Sequence, residues 1–84
     1  MVIMKCIKYY AVWGYNALGV CHSWDKVEYE RQYIKGFNTK SFKTFEEAES
    51  YAISMAEMTI PSCYELPQQL ESNYVFFTRQ LTKI

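Results

Sequence analysis

Eighty-four residues make one domain with a small core, because a chain of this size buries only about 60 to 65% of its unfolded surface. Nine Lys and Arg against nine Asp and Glu leave no net charge, which argues against a strong phosphate-backbone binder. Cys6, Cys21 and Cys63 are odd in number and lack a C-x-x-C spacing, so neither a disulfide framework nor a zinc site is readable. No run approaches the roughly 18 apolar residues of a membrane span, and the start of the chain is too interrupted by Lys for a signal peptide, so a soluble, cytoplasmic protein is expected. Eight Tyr, five Phe and two Trp supply a large buried area per residue ordered, so an aromatic core is expected.

Residues 5–13 read as a first strand, with Ile7, Tyr9, Ala11 and Trp13 on one face and Cys6, Lys8, Tyr10 and Val12 on the other. Residues 14–19 carry two glycines and Asn16 and read as a hairpin loop with positive φ angles, after which residues 20–22 return as an antiparallel second strand. Ser23 is a candidate N-cap, and Trp24, Val27, Arg31 and Ile34 share a face until Gly36, which predicts a first helix over 24–35. Residues 40–44 read as a short third strand. Thr44-Phe45-Glu46-Glu47 fits a capping box, and Phe45, Ala48, Tyr51, Ala52 and Met55 form the inner face of a second helix.

Beyond Met58, Pro61 and Pro67 bracket a loop, residues 68–72 read as a helical turn, and residues 73–81 alternate as a strand. Tyr74, Phe76 and Thr78 lie on one side of it, Val75, Phe77 and Arg79 on the other. Two apolar faces need two covers, so this strand should dock on its own sheet edge or on a second subunit, and a homodimer built by strand addition is expected. The predicted class is α+β: a three-stranded antiparallel sheet packed on two helices in the order ββαβα. It forms a domain over 1–57, with an extension over 58–84 that adds a strand on the same domain or on a partner subunit.

The series Lys8-Tyr9-Tyr10-Ala11-Val12, Gly19-Val20, Ser23-Trp24, Lys35-Gly36-Phe37 and Ser41-Phe42-Lys43-Thr44-Phe45-Glu46-Glu47-Ala48 resembles the small N-terminal hybrid-binding domain of eukaryotic-type ribonuclease H, a module shared with caulimovirus viroplasmin. The resemblance covers roughly residues 5–56. It implies a non-catalytic module that binds RNA/DNA hybrid or double-stranded RNA, without cofactor or metal. It also implies that Tyr10, Trp24 and the cluster Lys40, Ser41, Phe42 and Lys43 meet the nucleic acid. The cluster aligns in two ways. Keeping the capping box in register leaves Thr39 where the family has an aromatic ring and Ser41 where a second base is usual; keeping the distance from Gly36-Phe37 instead aligns Phe42-Lys43-Thr44-Phe45. The capping-box register is preferred because the cap has its own physical reason to exist.

This chain departs from the family pattern in its hairpin, which carries no Lys or Arg. Binding should therefore be weak and salt-sensitive, since each phosphate contact adds about one unit to the salt slope. In place of those charges, Trp13, Tyr15 and Leu18 read either as an apolar tip that, with Tyr74 and Phe76, meets a protein partner, or as residues folded back onto the extension. His22 has no partner at metal or triad spacing, and no set of carboxylates suits two-metal hydrolysis, so catalysis is not expected.

Overall fold

The computed structural model describes residues 8–83. The elements run β1 (Tyr9–Trp13), β2 (Ala17–Cys21), α1 (Trp24–Arg31), β3 (Asn38–Phe42), α2 (Phe45–Thr59), β4 (Tyr64–Glu65), β5 (Tyr74–Phe77), a 3-10 turn (Thr78–Gln80) and β6 (Thr82–Lys83). An antiparallel sheet of order β3-β1-β2-β5 carries the fold, and β4 and β6 pair separately. This is the expected α+β class, with the added C-terminal strand on the β2 edge. Residues 5–7 of the predicted first strand lie outside the described residues. Among the described residues, no helix is long and apolar enough to cross a membrane.

Strand alternation divides the core into two halves. Ala11, Trp13, Leu18 and Val20 face α2 and pack on Ala48, Ala52 and Ala56, where small side chains let helix and sheet approach closely. Val12, Ala17 and Cys21 face the α1 side with Val27, Ile34 and Val75. The two faces predicted for the first strand are therefore those observed from Tyr9 to Trp13.

The hairpin is tighter than predicted. Strand β2 begins at Ala17, so Leu18 and Gly19 lie within it, and residues 14–16 make the turn, closed by Gly14 N donating to Ala17 O at 2.9 Å. Neither hairpin glycine has a positive φ. Gly19 serves close packing instead: a Cβ there would sit 2.5 Å from Tyr74 O and 2.8 Å from Val75 Cα, so the missing side chain is what lets β5 dock.

Helix α1 starts at the predicted cap, with Lys26 N donating to Ser23 Oγ at 3.2 Å, but ends at Arg31, four residues early. Asn16 explains the difference. Its Oδ1 accepts from Lys35 N at 2.8 Å and its Nδ2 donates to Tyr33 O at 3.1 Å, while Tyr15 N donates to Lys35 O at 2.8 Å. The hairpin thus captures backbone groups that a longer helix would use. Within α1, Val27 and Glu30 turn inward while Arg31 is exposed, which corrects the predicted face.

Helix α2 begins at the predicted residue, with half of the predicted capping box: the Glu47 carboxylate meets the Thr44 hydroxyl instead of the Thr44 backbone N–H. Glu47 N donates to Thr44 Oγ1 at 3.2 Å, and the Thr44 hydroxyl in turn donates to Glu47 Oε1 at 3.0 Å.

In the extension, the predicted turn over 68–72 is irregular. Leu70 is drawn into the α2-side core, and its N–H donates to Glu49 Oε2 at 2.7 Å, so the segment is tied to α2 rather than to itself. Strand β5 stops at Phe77, where the backbone N–H donates to Gln80 Oε1 at 2.9 Å and the chain enters the 3-10 turn. Its two apolar faces are covered within the chain: Phe76 joins the α2-side core and Val75 and Phe77 the α1 side. Of the two placements expected for this strand, its own sheet edge or a second subunit, the first is the one observed.

Candidate nucleic-acid interface

Helix α1 lies over β1 and β2. At its first residue, Trp24 packs edge-to-face on Tyr10 of β1, with ring centroids 5.5 Å apart and planes at 61°, and keeps 49% of its surface exposed. Tyr10 is half-buried. An amphipathic ring held by a second ring, with half its area open, is an orientable contact surface.

Register decides which residues join this pair. Tyr10 stands opposite Ser41, and Val12 opposite Thr39, so both β3 hydroxyls belong to the Trp24 side of the sheet. Ser41 is exposed. Thr39 Oγ1 is buried and has no hydrogen-bond partner among the described residues. Lys43, one residue past the end of β3, is exposed.

The same register removes two of the residues expected at this site. Lys40 stands opposite Ala11 and Phe42 opposite Tyr9, on the α2 side. There the Lys40 ammonium lies 5.0 Å from the centroid of Tyr51 and 5.7 Å from that of Phe42, and the two rings lie 5.1 Å apart. Lys40 is thus engaged by aromatic faces on the side away from Trp24. The four consecutive residues 40–43 cannot form one patch, because neighbours along a strand point to opposite faces. Thr39 was not among the residues expected here, because the third strand was read as starting at Lys40 and it starts at Asn38. Thr44 caps α2 directly after β3 ends at Phe42.

The apolar hairpin tip is also corrected. Leu18 is 0% exposed and Trp13 5%, with Trp13 edge-to-face on Tyr51 at 5.3 Å, because both side chains point from adjacent strands into the α2-side core. Leu18 pairs with Phe76, so the tip folds back on the extension. Tyr15 alone of the three is exposed, at 63%. Of the other two residues assigned to that surface, Tyr74 is exposed and Phe76 is half-buried.

No group of three His, Cys, Asp or Glu that could hold a metal occurs among the described residues. His22 is exposed, and its backbone N–H donates to Asn73 Oδ1 at 3.4 Å. Burial, reinforced by Glu30 and opposed by Lys26, pushes the Cys21 thiol up to about 11. Because the folded value lies above the ordinary 9.0, the neutral thiol favours the fold below pH 9, and that contribution is lost as pH rises from 9 through about 11. Replacing Cys21 with Ala is therefore expected to flatten the fall in melting temperature over that window. An unchanged slope would show that the thiol is not desolvated in the native state.

The family model described as the ribonuclease H1 N-terminal domain matches residues 8–52, just over half of the chain. The chain belongs to that family. No curated protein and no solved structure matches the chain. Within this ribonuclease H1 N-terminal domain, the matched stretch holds β1, β2, α1, β3 and the first half of α2, and so the whole Trp24 face. Strand β5, which completes the sheet and buries Leu18, lies beyond the match.

Proposed function

We propose that this chain is a non-catalytic module that binds RNA/DNA hybrid or double-stranded RNA through the Trp24 side of β1 and β3. The observation that carries this reading is the half-exposed Trp24 ring braced on Tyr10 beside the β3 hydroxyl of Ser41. An A-like duplex offers a wide, shallow minor groove lined by sugars, 2′-hydroxyls and phosphates. A ring packs on sugar faces, and a hydroxyl pairs with 2′-hydroxyls. Family membership supports the same reading, because the hybrid-binding role of the ribonuclease H N-terminal domain is the function its resemblance implies. The zero net charge and the hairpin without bases point to modest affinity with steep salt dependence. The competing reading, a protein-interaction module, rests on the neutral charge, the terminal strand and an apolar hairpin tip, and burial of Trp13 and Leu18 removes most of the tip.

Titrating labelled RNA/DNA hybrid, double-stranded RNA and double-stranded DNA of one sequence, at low and physiological salt, tests the proposal. Hybrid and double-stranded RNA are expected to bind about tenfold or more tightly than duplex DNA, the ratio that ~1.4 kcal/mol of groove contact supplies. Equal binding of all three would reduce the interaction to unspecific charge, and no binding at low salt would end the nucleic-acid reading.

A further inference from the structure

The chain has nine Lys and Arg, and four of those the structure describes are engaged by side-chain partners. Lys26 pairs with Glu30 at 3.5 Å, and Arg31 with Glu28 at 3.5 Å. Lys40 lies over Tyr51, and Arg79 over Phe77 at 5.0 Å. Lys8, Lys35 and Lys43 are exposed and have neither an ion pair nor a ring partner among the described residues.

Two of these three fall together. Tyr9 pairs with Phe42, so Lys8 and Lys43 each lie one residue beyond that pair, on adjacent antiparallel strands. Lys8 is two residues before Tyr10 and Lys43 two residues after Ser41, the residues that belong to the side that bears Trp24. Lys35 lies elsewhere, bound through its backbone to Tyr15 and Asn16 near the Trp13 end of β1. Two like charges at neighbouring strand ends, with no acid paired to either among the described residues, leave room for an anion to join them. Of the acids that follow Lys43 on α2, Glu47 is held by the Thr44 hydroxyl at 3.0 Å, and Glu46 forms no ion pair with either lysine.

We propose that Lys8 and Lys43 form the phosphate clamp of this interface, a step that rests on the nucleic-acid reading above. The two ammonium groups hold phosphates of one strand while Trp24 and Tyr10 meet its sugars. Lys40, although it sits between the aligned motif positions, takes no part. Basic character lost from the hairpin is thus recovered at the opposite end of β1, beside the end of β3.

Salt dependence of hybrid binding separates the alternatives, measured on the full chain as wild type, K8Q, K43Q, K8Q/K43Q, K40Q, K35Q and W24A. Each clamp variant is expected to lower the slope of log K against log[salt] by about one, and the double variant by about two. K40Q and K35Q are expected to leave the slope at the wild-type value. All substituted lysines are exposed, and a thermal melt of each variant checks that folding is retained. An unchanged slope in K8Q/K43Q, with binding still lost in W24A, overturns the clamp and leaves the nucleic-acid reading standing. A slope that falls equally in K35Q overturns it as well, since any surface lysine would then serve. Failure of the wild type to bind at low salt overturns both.

Discussion

Leu18→Ala is expected to lower the stability of the fold by about 3 to 5 kcal/mol, the range found when a fully buried leucine is truncated and its cavity does not collapse. Leu18 is 0% exposed, faces α2 and is paired with Phe76 of β5, so its side chain joins the helix, the central strands and the added strand in one core. A domain of this length has only about 4 to 13 kcal/mol of net stability. The loss should appear as a fall of more than about 12 °C in melting temperature. Urea titration should show a lower midpoint with an unchanged slope. Tyr15→Ala, on the exposed turn next to it, is expected to cost under about 1 kcal/mol. If Leu18→Ala were as mild as Tyr15→Ala, the hairpin would be an exposed apolar tip after all, and a protein interface there would have to be reconsidered.

Trp24→Ala is expected to weaken hybrid binding by roughly tenfold or more while leaving the fold largely intact. Loss of one aromatic stacking contact to nucleic acid costs about 1 to 3 kcal/mol. The structural cost is smaller, because Trp24 is half exposed and its main ring partner is Tyr10 at 5.5 Å, an edge-to-face pair worth about 0.5 to 1.5 kcal/mol. Calorimetric melting and fluorescence-anisotropy titration on the same samples separate the two effects. Trp24→Phe is expected to recover part of the affinity, because it keeps a ring on Tyr10. Wild-type binding by Trp24→Ala would mean that the ring serves only to pack on Tyr10, and the interface would have to be sought elsewhere.

Local rules account for the parts of the fold that were legible in the chain. The Ser23 and Thr44 caps, the two faces of β1 and the inner row of α2 each depend on residues within about four positions of one another. Helix α1 ended early because the side chain that stops it, Asn16, lies 17 residues before Tyr33 and 19 before Lys35. The irregular path through Leu70 has the same kind of cause, since Glu49 lies 21 residues away. Gly19 was misread for a related reason: a glycine three residues after Asn16 and five after Gly14 suggests a turn, whereas its reason for existing is the backbone of β5 more than 50 residues later. At the candidate site, Tyr10, Trp24 and Ser41 were legible, and the misplacement of Lys40 and Phe42 came from treating a strand segment as a surface patch rather than as two alternating rows.

By itself the sequence determined the family, the order of the elements, the helix starts and the aromatic pair that makes Trp24 a candidate, because motif spacing, capping and alternation are short-range. The tertiary structure alone decided which basic residues remain free, that the hairpin is core rather than surface, and that the terminal strand completes its own sheet. Those outcomes turn on the pairing of β3 with β1 and of β5 with β2, where a shift of one residue would exchange the two faces and no local signal sets the register.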